Sequence, residues 1–151
     1  MKLAAVVGAT RGIGLASAHR LASDGFKLLL LGRNTELLNN VARQISDINN
    51  VLLPDCIPID SSDPKLVKDA FQWIYKAHAG LDVLVYNAGI FEASPIGMVS
   101  SEQIRRVFST NVDGVLYCSQ YAARLMGKRG GGSIINVSSI MGTNEIGRAH
   151  V

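Results

Sequence analysis

Cysteine is scarce: Cys56 and Cys118 are the only two in 151 residues. With no CxxC pair and no Cys/His cluster beside them, a disulfide scaffold and a structural zinc site are excluded, and a reducing compartment fits. Long apolar runs are missing as well, since KLLLL at 27–31 falls far short of the ~20 residues that span a bilayer. No excess of one charge sign exists beyond a formal +3, and the lysines and arginines are scattered, so nucleic acid is a poor partner while a small anionic ligand is compatible. Aromatics are few, and Phe71, Trp73 and Phe108 fall at helix positions where packing explains them. His19, His78 and His150 lie far apart and read as ordinary packing or surface residues, so no metal is expected.

What is present is 48% hydrophobic and 18% charged residues with 15 glycines and 4 prolines, the composition of a soluble globular protein. Without repeats, low-complexity tracts or linkers, residues 1–151 read as a single domain, incomplete at its C-terminus for reasons that follow. The opening MKLAAVVGATRGIGLASAH imitates a secretory signal only as far as Arg11, where a charge among glycines interrupts the apolar stretch. The cytoplasm is the expected compartment, with no membrane partner.

Strand-length apolar runs alternate with segments of helical period, which predicts an α/β fold: a Rossmann-type doubly wound parallel sheet in three α/β/α layers. Strands are expected at 3–7, at 27–31, through Cys56, Ile57 and Ile59, at 81–89 where the strand runs into a loop, and at 133–139. Helices are expected from Ile13 to Asp24, after a cap at Asn34 or Thr35, and from Asp63–Pro64 to Gly80 with Leu66, Val67, Ala70, Ile74 and Ala77 inward. A capping box of Ser100 and Gln103 opens one long helix toward Met126. Within it Ile104, Phe108, Asn111 and Val115 share a face, so Asn111 is a polar group in an apolar stripe that must find partners.

GATRGIG sets Gly8, Gly12 and Gly14 between the first strand and the first helix, where a tight turn and close backbone approach favour glycine. Helix-start N–H groups, here following Thr10, Arg11 and Ile13, suit a bound pyrophosphate. The absence of a Lys-Ser/Thr pair after the loop argues against a nucleotide triphosphatase. The second strand runs into Arg33 and Asn34, where an acid would accept bonds from ribose hydroxyls. An arginine there can clamp a 2′-phosphate, with Arg11 as a second contact, so NADP(H) is expected in preference to NAD(H). The alternative is two solvated surface arginines. The same residue disfavours a methyltransferase.

Together these motifs resemble the short-chain dehydrogenase/reductase family, most nearly its 3-oxoacyl-carrier-protein reductase and polyol dehydrogenase types, along the whole chain. Beyond the glycine loop, Asp60 and Ser61 match the acid-containing turn beside the adenine, and Asn87, Ala88 and Gly89 match the Asn-Ala-Gly motif. Tyr86 stands where the family usually has a further asparagine. The resemblance implies an oxidoreductase moving hydride between nicotinamide and a carbonyl or alcohol substrate. It makes Ser139 the catalytic serine, Asn111 the holder of a water that serves the catalytic lysine, and residues 90–99 one side of the substrate pocket.

In the family a tyrosine follows the serine by roughly thirteen residues and a lysine comes four later, whereas this sequence ends at Val151. Tyr75, Tyr86, Tyr117 and Tyr121 lie in the wrong elements to replace it. The chain is therefore expected to be inactive alone, with an apolar edge at its fifth strand, and to form homo-oligomers when intact through the helix at 101–126. A noncatalytic nucleotide-binding module, or an inactive fragment that needs a partner, is the alternative.

Overall fold

The expected alternation of strands and helices builds a five-stranded parallel sheet between two helical layers. The computed structural model describes residues 1–139, apart from the side chain of Ile96; His150 and the loop expected after Ser139 lie outside the described residues. Strands β1 (Leu3–Val7), β2 (Lys27–Gly32), β3 (Asp55–Pro58), β4 (Val83–Tyr86) and β5 (Ser133–Asn136) stand in the order β3-β2-β1-β4-β5. Every pair is parallel, with Leu3 opposite Lys27, Ala4 opposite Val83, Leu29 opposite Asp55 and Val83 opposite Ser133. The chain winds outward from β1 to β3 and then returns to β4 on the other side, so the loops leaving β1 and β4 part and open a crevice at the carboxyl ends of the strands.

Period-two alternation divides the core. Ala4, Val6, Leu28, Leu30 and Val85 face helices α1 (Gly12–Ser23) and α2 (Thr35–Asn49). Leu3, Ala5, Val7, Leu29, Leu31, Leu84 and Tyr86 face α3 (Pro64–His78) and α5 (Gly114–Gly127). Both faces of β1 and β2 are covered, which is why these strands read as continuous apolar runs rather than alternating ones.

Local chemistry sets the helix starts. Asp63 Oδ1 accepts from Lys65 N at 2.8 Å and Leu66 N at 3.2 Å, with Pro64 in the first turn. Asn34 Oδ1 accepts from Leu37 N at 3.0 Å, deciding between the two expected caps of α2. The capping box at α4 (Ser101–Phe108) is only half made: Ser100 Oγ accepts from Gln103 N at 3.1 Å, but the Gln103 side chain bonds Glu92 O and Ser94 instead.

Several boundaries differ from the sequence reading. Helix α3 closes on Ala79 at φ 60 rather than on Gly80, and Leu66 and Ala77 lie on its exposed side. Ile59 follows β3, and β5 stops at Asn136, short of Ser139. The long helix is not continuous, because a π-helical segment, Ser109–Asp113, separates α4 from α5. Of its stripe only Val115 packs against the core, while Ile104, Phe108 and Asn111 are exposed, as are the neighbouring Val112 and Leu116. At the edge of the described sheet, Ile134 and Ile135 are exposed too.

At the amino end of the sheet His78 packs edge-on against Trp73, with its Nε2 at 3.2 Å from Asp55 Oδ2 but not aligned for a hydrogen bond. Burial, with Lys27 and Arg129 nearby, holds this imidazole below the ordinary histidine range despite the pull of Asp55. Depression means that the unfolded chain takes up the proton first, so stability present above about pH 6.5 is lost as the pH falls toward the folded value. Thermal unfolding across pH 7 to 5 is expected to show this decline, and His78→Gln to flatten it; an unchanged slope in the variant would refute the assignment.

Candidate functional site

The crevice beside β1 is lined by the ends of three strands and the loops that leave them. Gly8 follows β1 with φ 82, its N–H donating to Leu31 O at 2.8 Å. A Cβ on Gly8 would lie 2.8 Å from Ala88 N and 2.9 Å from Ala88 Cα, so the first and fourth loops touch backbone to backbone. Gly14, inside α1, lies against the Gly8 carbonyl, and a Cβ there would overlap that oxygen and come within 2.8 Å of Asn87 Nδ2. Asn87 closes the contact by donating from its backbone N–H to Val7 O at 2.9 Å and from its side chain to Gly8 O at 3.4 Å. Arg11 is the N-cap of α1 in an extended conformation, and no side chain caps the helix there. Its first-turn N–H groups therefore retain their preference for an anion.

Of the residues predicted for the site, Gly8, Thr10, Arg11, Arg33, Asp60, Ser61, Asn87, Ala88 and Gly89 line this one crevice. Gly12, Ile13, Gly14 and Asn34 do not: Gly12 and Gly14 shape the turn behind it, Ile13 is exposed, and Asn34 is occupied in capping α2. Asn111 and Ser139 also lie outside the lining. Val7, Gly32, Ile59 and Thr110 belong to it and were not predicted, while Ile90, expected on one side of the substrate pocket, lines it as well. Val7 and Gly32 end their strands, and Ile59 follows β3, so the rule that ligands gather at carboxyl ends was signal enough for these three. Thr110 required the tertiary fold.

Electrostatics divide the crevice. Arg11 and Arg33 are exposed at its rim. Burial would raise the Asp60 carboxyl, but bonds from Ser62 N at 3.0 Å and Ser62 Oγ at 2.7 Å, with the charge of Arg33, bring it below the usual carboxylate range. An ionised acid thus stands beside an arginine at the outer end. At the other end the Asn111 side chain grips the backbone of Ile90, accepting from its N–H at 2.9 Å and donating to its carbonyl at 2.8 Å. Asn111 is exposed rather than a buried asparagine of an apolar stripe.

Such a crevice, with a glycine turn feeding an open helix start at the switch point of a parallel sheet, defines a protein of the Rossmann fold class. A family model described as short chain dehydrogenase matches residues 2–151. The chain belongs to that family. It is 35% identical over 141 residues to an uncharacterized oxidoreductase of Staphylococcus aureus strain USA300, covering 93% of this chain and 59% of that protein. To the farnesol dehydrogenase of Aedes aegypti it is 34% identical over 143 residues, covering 93% of this chain and 58% of the relative. The solved structure of L-sorbose reductase from Gluconobacter frateurii, complexed with NADPH and L-sorbose, superposes with a TM-score of 0.87 at 28% identity, covering 92% of this chain and 52% of that one. The chain thus spans a little over half the length of these relatives. Among the described residues no group of three or more His, Cys, Asp or Glu could hold a metal ion, and no helix is long and apolar enough to cross a membrane.

Proposed function

We propose that this chain is the cofactor-binding portion of an NADP(H)-dependent oxidoreductase that interconverts a carbonyl and an alcohol. The observation that carries the reading is the convergence of Gly8, Arg11, Arg33 and Asp60 on one crevice at the carboxyl end of the sheet. Gly8 and Gly14 let the turn pack against the Asn87–Ala88 backbone and the start of α1 more closely than any side chain would allow, which brings the open helix start to the crevice where a pyrophosphate would sit. The start of α1 supplies N–H donors to it, and Arg33 with Arg11 holds the 2′-phosphate. Asp60 and Ser61 border the adenine, while Asn87, Ala88 and Gly89 form the wall toward the nicotinamide. The bound cofactor supplies or accepts the hydride. NADPH in the sorbose reductase complex supports the choice of cofactor by relationship.

Catalytic roles follow the family resemblance. Ser139 hydrogen-bonds the substrate oxygen, and Asn111 serves the proton path. By the same resemblance, Tyr75, Tyr86, Tyr117 and Tyr121 stand in elements other than the one that carries the family's general acid. The exposed row Ile104, Phe108, Val112 and Leu116 supports a homo-oligomer. Cysteines without disulfides, Cys56 and Cys118, support the cytoplasm. The test is oxidation of NADPH with a panel of ketones and aldehydes, using the protein extended through a Tyr-x-x-x-Lys segment. Turnover that falls by about 10²-fold or more in Ser139→Ala is expected; tight NADPH binding with no turnover of any carbonyl would favour the noncatalytic module.

A further inference from the structure

Tyr86 is the residue that departs from the family pattern, and its surroundings give the departure a purpose. Its side chain is 1% exposed at the end of β4, between the loop after β3 and the break between α4 and α5. Its hydroxyl lies 2.7 Å from Thr110 O, to which it donates, and 2.9 Å from Ser61 Oγ. A phenol has one proton; with that proton on Thr110, the Ser61 hydroxyl donates to the phenol oxygen. Both Ser61 and Thr110 line the crevice.

The Thr110 carbonyl is available because of the π-helical segment. In a continuous α-helix it would accept from Gly114 N–H; instead Gly114 N–H donates to Ser109 O, five residues back. The Tyr86 hydroxyl satisfies the carbonyl so released, in a part-buried position beside the crevice. Gly114 is part of the same device, since a Cβ there would overlap the Tyr86 hydroxyl and lie 2.9 Å from Ser61 O. Burial pushes the phenol up to about 12, against the Ser61 bond, so it stays protonated and donating at any physiological pH. One residue beyond Thr110 is Asn111, whose amide grips Ile90 and so fixes the end of the Asn-Ala-Gly loop.

We propose that Tyr86 is a positioning residue: by holding the Thr110 carbonyl and the Ser61 hydroxyl together it keeps the π-turn in place, and through that turn it sets Asn111 against Ile90. The structural half of this stands on the contacts alone, while its consequence for hydride transfer rests on the function proposed above.

The test is amide hydrogen exchange at Ile90, whose N–H donates to Asn111, in wild type, Tyr86→Phe, Asn111→Ala and the double variant. Tyr86→Phe is expected to speed Ile90 exchange about 10-fold, the effect of one lost hydrogen bond, while the amides of the β1–β4 ladder stay within about 2-fold. The double variant is expected to exchange no faster at Ile90 than Asn111→Ala alone, because both changes release the same contact. A wild-type rate at Ile90 in Tyr86→Phe, or rises that multiply in the double variant, would overturn the proposal. Should Tyr86→Phe not fold, Gly114→Ala crowds the same oxygen in a chain that keeps Tyr86, and an unchanged Ile90 rate there would overturn it equally. NADPH titration of the wild type in parallel separates the two claims: exchange as expected without NADPH binding refutes the proposed function and leaves the positioning role intact.

Discussion

Gly8→Ala is expected to lower stability by about 2–5 kcal/mol and to remove dinucleotide binding with it. Two costs add at this position. The backbone stands at φ 82, where a side chain costs roughly 1–2 kcal/mol, and the new methyl would press on Ala88 N and Cα at 2.8 and 2.9 Å. Backbone cannot rotate aside as a flexible side chain would, so the two loops must separate, at a cost typical of overpacking, about 1–3 kcal/mol. That is a large part of the roughly 5–15 kcal/mol that holds a domain folded. Gly12 provides the internal comparison: its φ is 55, but a Cβ there meets nothing within 4 Å. Gly12→Ala should cost only the conformational part, about 1–2 kcal/mol. Urea unfolding of both variants checks this, and equal midpoints for Gly8→Ala and wild type would contradict the backbone contact as the reason for glycine.

Arg33→Ala is expected to weaken NADPH binding by about 10- to 100-fold and to leave NADH within about 2-fold, the loss of charge-assisted bonds to one phosphate. The selectivity of the effect matters more than its size. Arg33 is exposed at the crevice rim and contributes to the ionised state of Asp60, so its removal disturbs no core contact. A loss shared equally by both cofactors would mean that Arg33 holds something common to them, such as the adenine. Titration of the variant with each cofactor distinguishes the two. Higher salt should narrow the gap between the cofactors, since an exposed pair is screened.

How the sequence encodes these features differs from place to place. Continuous apolar runs at 3–7 and 27–31 are legible as strands covered on both faces, and the glycine loop is legible because a strand and a helix flank it. Arg33 can be placed from register alone, as the residue just past the end of β2. Ala79 in a left-handed conformation is not legible, because it ends α3 one residue before the glycine that would be the ordinary choice; Asn50 ends α2 in the same conformation, which asparagine tolerates.

The π-turn is hidden for a different reason. Steps of four, three and four from Ile104 to Val115 suit a continuous helix, and nothing nearby in sequence announces that Thr110 loses its helical partner. What replaces that partner is a phenol 24 residues earlier. Burial of the stripe was likewise misread, because periodicity reveals that a face is apolar but not what it faces. Asn111, expected to seek partners inside such a stripe, finds them in the backbone of Ile90.

Calorimetric titration of the folded chain with NADPH and with NADH, side by side, tests the central claim most directly. The account predicts one site, saturable by NADPH and at least about 10-fold weaker for NADH. Heat from neither cofactor, or equal affinity for both, would contradict it.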